Sequence, residues 1–448
     1  MKKICLAIFI CLTFFINSYA IEFDDFFEEE ATTEIHGYIS QGYMQTSRNN
    51  YLADTTGGTF QMKELAFNIS QEITSRLRLG VQLFAMDLGD VGNNEVTLDW
   101  GFADFKWKSY LGMRVGKIKV PCGLYNETRD VDAIRPSIFL PSSVYIPNIR
   151  DSIVSGEGVV AYGYVPMEFG ALSLGNISYQ GFVGYSEIPN DGSTAKYITS
   201  VGVIDTEKIH SKNSNSIWVL WELPYIEGLV FARTRLCTSL VVSGKTNDFY
   251  LWTLMGVTPI GQLLVDKKVN VIDAVYRLHR YEIDVFSLEY TWDDFIIAGE
   301  YSVVESHRII KAITDKELIP LKEGYTNPYT QSRYSEGWYI NGSYRVNEYY
   351  QFELCYSEYY ANMHDKKGNE MMDIEKQLEP LKGKTKLKNF NAWQKETIIS
   401  NRFDINENWL FKFEYHYVDG TGYVMNIDNP DGFNASDRYW HLFAAKMT

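Results

Sequence analysis

Past its first twenty residues the chain has no apolar run near the roughly 18 residues that mark a membrane-crossing helix, which excludes a helical span. Cysteine is scarce. Of five in 448 residues, Cys5 and Cys11 lie near the N-terminus, and Cys122, Cys237 and Cys355 are more than 100 residues apart. An odd, widely spaced set makes neither a disulfide framework nor a metal pattern. Basic residues are outnumbered, 42 Lys and Arg against 57 Asp and Glu, so the clustered positive footprint of a nucleic-acid binder is missing. There is no Gly-x-Ser-x-Gly nucleophile turn and no phosphate-cradling glycine loop. The seven histidines (His36, His210, His279, His307, His364, His416, His441) follow no zinc spacing. The run Asp428-Asn429-Pro430-Asp431-Gly432 lacks the later bidentate Glu of a calcium loop and reads as a turn. No enzyme chemistry, metal or cofactor is expected. No Pro-, Gly- or Ser-rich linker divides the chain, which favours one large domain.

What is present begins with MKKICLAIFICLTFFINSYA. Lys2 and Lys3, the apolar stretch Ile4 to Ile16 and the small Ala20 form a secretory signal peptide over 1–20, cleaved after Ala20. That stretch is short of the roughly 20 residues of a helical anchor. Neither early cysteine has the small preceding residue of a lipid-attachment site. Removal of the leader takes two lysines with it and moves the net charge from −15 to −17. An acidic segment, 21–34, follows.

From residue 35 onward the dominant signal is alternation of period two, the mark of strands with unlike faces. In Arg76-Leu77-Arg78-Leu79-Gly80-Val81-Gln82-Leu83 the odd positions are aliphatic and the even ones charged, small or polar. In Trp409 to Tyr417 one face is wholly aromatic, and the other carries Lys412, Glu414 and His416. Such strands suit a barrel whose outer wall meets lipid, since its apolar residues occupy only every second position. The chain is rich in aromatics, 15% with 32 Tyr, as interfacial girdles require. Tight polar turns are expected across 71–75, Asp293-Asp294, Asn347-Glu348 and 406–408. Long polar connections alternate with them, including 187–213, 306–332, 361–391 and 420–436.

The spacing predicts sixteen strands: 35–46, 59–70, 76–87, 96–107, 110–119, 158–165, 169–186, 214–223, 228–240, 281–292, 295–305, 334–345, 349–360, 393–404, 408–419 and 437–448. Phe249-Tyr250-Leu251-Trp252 could begin another, but a seventeenth strand would move the Asp293-Asp294 turn to the wrong end, so 241–280 is read as a loop. The expected fold is all-β: a transmembrane antiparallel barrel over 35–448 with a long third loop.

That loop, 120–157, is the most unusual segment. Pro121, Pro136, Pro141 and Pro147 exclude a strand pair. Ile138, Phe139, Leu140 and Tyr145 are too apolar for a solvated loop. It is expected to fold into the lumen, its apolar residues on the wall and Glu127, Arg129, Asp130, Asp132, Arg135, Arg150 and Asp151 lining a constriction. The bland alternative is a loop that braces the barrel or touches a neighbouring subunit.

The stretch GKIKVPCGLYNETRDVDAIRPSIFLPSSVY, with NENWLFKFEYHYVDGTG, resembles a family of Gram-negative outer-membrane porins related in architecture to the sixteen-stranded trimeric porins. The likeness runs from about Ile35 to the end. It implies a diffusion channel for small hydrophilic solutes, a constricting third loop and a homotrimer in outer-membrane lipid. Such a chain depends on export and barrel-assembly machinery. Barrels of this family finish on an aromatic residue, whereas this chain stops at Ala444-Ala445-Lys446-Met447-Thr448.

Strand phase points Arg76, Arg78, Arg114, Arg233, Arg235, Lys412 and Glu414 to the lumen. Five wall arginines favour anions. The loop carries five acids (Glu127, Asp130, Asp132, Asp151, Glu157) against three arginines, so a basic wall facing an acidic loop, with a transverse field and little ion preference, is the alternative. His416 beside Glu414 reads as a satisfied lumen histidine. A plugged, surface-binding barrel and a barrel hydrolase stand as the other function classes.

Overall fold

A computed structural model describes residues 32–170, 172–200, 205–246, 272–314, 317–318, 329–378, 387–425, 428–429 and 436–448. The signal segment and the Phe249–Trp252 stretch lie outside these. The chain forms sixteen long antiparallel strands: β1 Thr32–Thr46, β2 Lys63–Thr74, β3 Leu77–Leu88, β4 Thr97–Lys108, β5 Leu111–Lys119, β6 Ser155–Phe169, β7 Leu172–Tyr185, β8 Asp205–Glu222, β9 Leu229–Thr246, β10 Ile272–Trp292, β11 Phe295–Thr314, β12 Tyr329–Asn347, β13 Tyr350–Tyr360, β14 Trp393–Asn406, β15 Trp409–Gly420 and β16 Tyr439–Met447. Two-residue ladders at Val91–Gly92 and Glu317–Leu318 lengthen the rim. Each strand pairs with its neighbours in sequence, and β1 closes on β16 with Gln41 opposite Met447 and Thr46 opposite Leu442. Closure leaves no free sheet edge along this seam. The result is the expected closed sixteen-stranded antiparallel barrel.

Seven short connections fall at one end, with the start of β1 and the end of β16, and eight longer ones at the other. At the two-residue turn between β10 and β11, Asp293 adopts φ 48°, a left-handed conformation that Asp tolerates better than most side chains. The first tight turn is narrower than 71–75. β2 runs to Thr74, whose Oγ1 accepts hydrogen bonds from the Arg76 and Leu77 amides, so Arg76 sits in the turn and not on the wall. Nor is 241–280 wholly loop: Val241–Thr246 pair with Ile272–Arg277 in the β9–β10 ladder. β8 to β12 are 18 to 21 residues long, against 9 to 15 for the rest, and stand above the remainder of the rim.

The outer face is apolar. Leu79, Val159, Ile217, Phe286, Leu354, Ile399 and Phe413 are all exposed there, and aromatics such as Trp409, Tyr417 and Tyr439 extend the pattern towards the ends. The alternate positions turn inward, and many of them are buried. The reason is not the thin wall itself but a folded segment inside it.

Candidate functional site: an in-folded loop and a charged constriction

Residues 120–154 leave β5 and re-enter at β6, closed at the base by the Val120 amide donating to the Val154 carbonyl at 2.9 Å. Between these points the loop crosses the barrel interior in three contacts. Val120, Ile149, Ile153 and Val154 pack on Val160, Phe182, Leu236, Ile283 and Val285 of β6 to β10. Tyr145, with Leu140 and Val144, packs on Tyr339, Cys355 and Ile398 of β12 to β14. Ile138 reaches Met44, Val418, Leu442 and Ala444 around the β15–β16–β1 seam. The loop therefore brings a hydrophobic core into a lumen that would otherwise be polar.

Polar contacts fix its path. Glu300 of β11 accepts from the Leu124 amide at 2.9 Å, the Tyr339 hydroxyl at 2.8 Å and Ser287 at 2.6 Å, and also from the Tyr145 hydroxyl. The Gly123 amide donates to Thr234 Oγ1 at 2.9 Å, Ser142 to Glu396 at 2.6 Å, and Ser143 to the Trp338 carbonyl at 3.1 Å. Glu414 accepts from the Ile138 and Phe139 amides, and Lys412 donates to Asp132 Oδ1 at 2.8 Å and to the carbonyls of Asp132 and Ser137. His416 lies between Glu396 at 3.0 Å and Glu414 at 2.7 Å, bound on both ring nitrogens and buried. The closest approach needs a glycine. A Cβ on Gly337 would stand 2.0 Å from the Ser143 carbonyl oxygen.

Most loop charges expected to line a pore hold the loop instead. Asp130 is gripped by Lys119 and Arg150. Asp132 is gripped by Lys412 and by Lys446 at 3.4 Å. Arg129 is buried and donates to the Tyr145 carbonyl at 3.2 Å, Arg135 donates to the carbonyls of Arg129 and Ile138, and Asp151 accepts from Thr194 of the neighbouring helix α1 (Ser193–Ser200). Burial alone would raise the Asp130 carboxyl, but Arg150 and Lys119 outweigh it and hold it far below the usual carboxylate range. Asp132 is likewise held down, against its burial, by Lys446 and Lys412. Burial brings the Arg129 guanidinium down to about 9.

Glu127 differs. Its side chain is 32% exposed, 3.6 Å from Arg114 and hydrogen-bonded to Gln180 Nε2 at 2.7 Å. On the wall beside it, Asp104 sits between Arg78 and Arg114 at 3.3 Å each and accepts from the Tyr162 hydroxyl. Arg114 also lies 4.7 Å over the Tyr162 ring. Arg78 is 45% exposed. This constellation, from β3 to β7 and the loop, is a partly exposed charged patch of the lumen wall. Two arginines pair with two carboxylates, so it carries no net sign. The reading from sequence identified Arg78, Arg114 and Glu127. It missed Asp104, Tyr162 and Gln180, although Asp104 is the register partner of both arginines and shares their face.

Arg233 and Arg235 are a correction. Along β9, Ala232, Thr234 and Leu236 are buried inward under the loop, while Phe231, Arg233 and Arg235 point outward. Arg233 lies 5.0 Å over the ring of Phe286, itself exposed, and 3.5 Å from Asp284; Arg235 reaches Glu282 at 2.6 Å. With Arg76 in a turn, the wall keeps two of the five arginines expected in the lumen. Lys412 and Glu414 do point inward, but both are fully covered by the loop.

No protein-family profile matches this chain, and no curated protein does. Solved structures do. The high-pH structure of Pseudomonas putida OprB aligns over 93% of this chain and 93% of its own at 8% identity, with a TM-score of 0.50. The anion-selective porin from Comamonas acidovorans covers 93% and 99% at 9% identity with 0.49, and Salmonella typhi OmpF in complex with daunomycin covers 95% and 99% at 10% identity with 0.48. The OprB likeness identifies the fold, a porin-like outer-membrane barrel, and at this identity the fold alone.

Proposed function

We propose that this chain is an outer-membrane channel through which small hydrophilic solutes diffuse passively, and that it is weakly selective among ions. The observation that carries the reading is the loop pinned across the lumen with a charged constellation left along one wall, in which Arg78 and Glu127 are open to solvent and Asp104 is buried between Arg78 and Arg114. An apolar outer face with polar and loop-covered inner positions is the distribution of a lipid-embedded barrel. Charges of both signs paired along one wall leave no net sign there, which favours weak selectivity over anion preference. The protein is exported by its signal segment, seated in the outer membrane by the assembly machinery and homotrimeric, with no catalytic role.

The test is single-channel recording of the mature protein in planar bilayers under a KCl gradient. Stable steps with a reversal potential near zero support the reading, and a large reversal potential of either sign removes the weak-selectivity part. The plugged, surface-binding barrel has one observation in its favour: Lys412, Glu414, Ser400 and Ser216 have no exposure at all beneath the loop. A folded barrel that never conducts decides for it.

A further inference from the structure

Beneath the loop two buried glutamates share one basic side chain. Glu396 of β14 and Glu414 of β15 make no ion pair among the described residues except with His416, Glu396 at Nδ1 and 3.0 Å, Glu414 at Nε2 and 2.7 Å. The other charges around them are committed elsewhere. Lys412 and Lys446 hold Asp132, Arg135 donates to the carbonyls of Arg129 and Ile138, and Glu353 of β13 accepts from Asn341 Nδ2 at 3.0 Å. Both glutamates also receive the loop. Glu414 takes the Ile138 amide on one oxygen and the Phe139 amide on the other, and Glu396 takes the Ser142 hydroxyl at 2.6 Å. Phe139 itself stands edge-on to the His416 ring, the two centroids 6.0 Å apart.

These contacts bear on where the protons lie. A carboxylate only accepts, whereas a neutral imidazole has one N–H and one bare nitrogen. A neutral His416 between two carboxylates would set its bare nitrogen against an oxygen and leave two buried negative charges with one ring donor between them. Glu414 meets two backbone amides and Ser400 Oγ at 2.9 Å, the partners of a carboxylate and not of an acid. We infer that His416 is a doubly protonated imidazolium whose charge latches residues 138–142 of the loop, which makes it a positioning residue for the constriction. This rests on the reading of the loop as the narrowing of a channel. With the ring charged, Glu396, His416 and Glu414 carry one net negative charge, which the loop amides and Ser142 solvate. Without that charge two uncompensated carboxylates lie in a covered site, a cost that falls when the loop lifts and admits water.

The test uses the full mature protein refolded in vesicles. Nitrogen NMR of isotope-labelled histidine at neutral pH, with the His416 signals identified by their proximity to labelled Phe139, is expected to show a proton on both ring nitrogens. A bare Nδ1 would put the proton on Glu396 and overturn the inference. In planar bilayers His416→Gln, which keeps a donor and an acceptor but no charge, is expected to raise the time spent in a wider conductance state by about tenfold or more, the scale of a counter-charge lost from a buried pair. His416→Gln combined with Glu396→Gln removes one charge of each sign and is expected to return that occupancy to within about twofold of wild type. A double variant as open as the single one shows that the ring acts by shape, and a single variant as closed as wild type shows that no charge is needed; either overturns the inference. Where His416→Gln does not refold, as judged by heat-modifiable migration, the ring spectrum decides. A doubly protonated ring in a barrel that never conducts removes the channel reading and leaves the charged latch standing. A bare nitrogen in a conducting barrel does the reverse.

Discussion

Two pairs of arginines occupy strands with the same alternating pattern and meet opposite fates. Arg78 and Arg114 look inward, share Asp104 and face the loop at Glu127. Arg233 and Arg235 look outward among Phe231, Phe286 and Ile217 and lean towards Asp284 and Glu282. An arginine near the mid-span of a lipid face costs about 2–4 kcal/mol, while one in a lumen costs little. The difference lies in what stands behind each strand. Where the loop packs on the inner wall, as at Leu236, Ile283 and Val285, the inward face is apolar and polar groups are displaced outward. Where the loop stands off, as at Arg78, the usual polar-inside rule holds.

The largest test removes the cause of the contrast. Deleting Pro121 to Val154, in protein that still refolds, is expected to raise single-channel conductance severalfold, and an unchanged conductance would place the loop outside the ion path. Next comes Lys412→Met, which strands Asp132 with one fewer cation in a covered site. A loss of about 3–5 kcal/mol in urea unfolding in vesicles is expected, and a loss under 1 kcal/mol would show that the pair carries no weight. Third, Arg114→Ala should move the reversal potential towards cation preference, whereas Arg233→Ala should leave it where it was. Equal shifts from both would erase the inside–outside distinction.

The smallest effect is with pH. Asp130 and Asp132 are held below the unfolded carboxylate value of about 3.9. Their folded-state values are depressed, so their stabilisation is fully present above about pH 4 and is lost as pH falls from there towards the folded values. Loop-dependent current noise should therefore be flat from pH 5 to 8 and rise only below about pH 4. A rise that sets in at higher pH would implicate Glu127 instead, whose carboxyl burial pushes up while Arg114 and Gln180 draw it back.

All sixteen strands were legible, because alternation and turn chemistry act locally along each of them. Their ends were not. Val241–Thr246 and Ile272–Arg277 form a ladder beyond the lipid band, where neither face needs to be apolar and period two fades. The loop was legible from its prolines and its apolar content, and its contacts with Glu300, Glu396, Lys412 and Glu414 were not, since they join residues far apart in the chain. The misplacement of Arg233 and Arg235 follows from the same blindness. In Phe231-Ala232-Arg233-Thr234-Arg235-Leu236 the arginines look like the lumen side until one knows that an apolar segment covers Ala232 and Leu236 from within. Asp104 was readable in principle, as a carboxylate opposite Arg114 once the register was known.

The anchors of the third loop also set an order of events. Tyr145 waits for Glu300, 155 residues later; Ile138 for Glu414, 276 later; Asp132 for Lys412, 280 later. Contacts of such sequence separation form only after the intervening chain has been laid down. The loop emerges a third of the way through the chain and finds its last seats in the final two strands, where Lys412 and Lys446 hold Asp132. Narrowing is therefore the final act of assembly, and a barrel halted before β15 would be one with its door unhung.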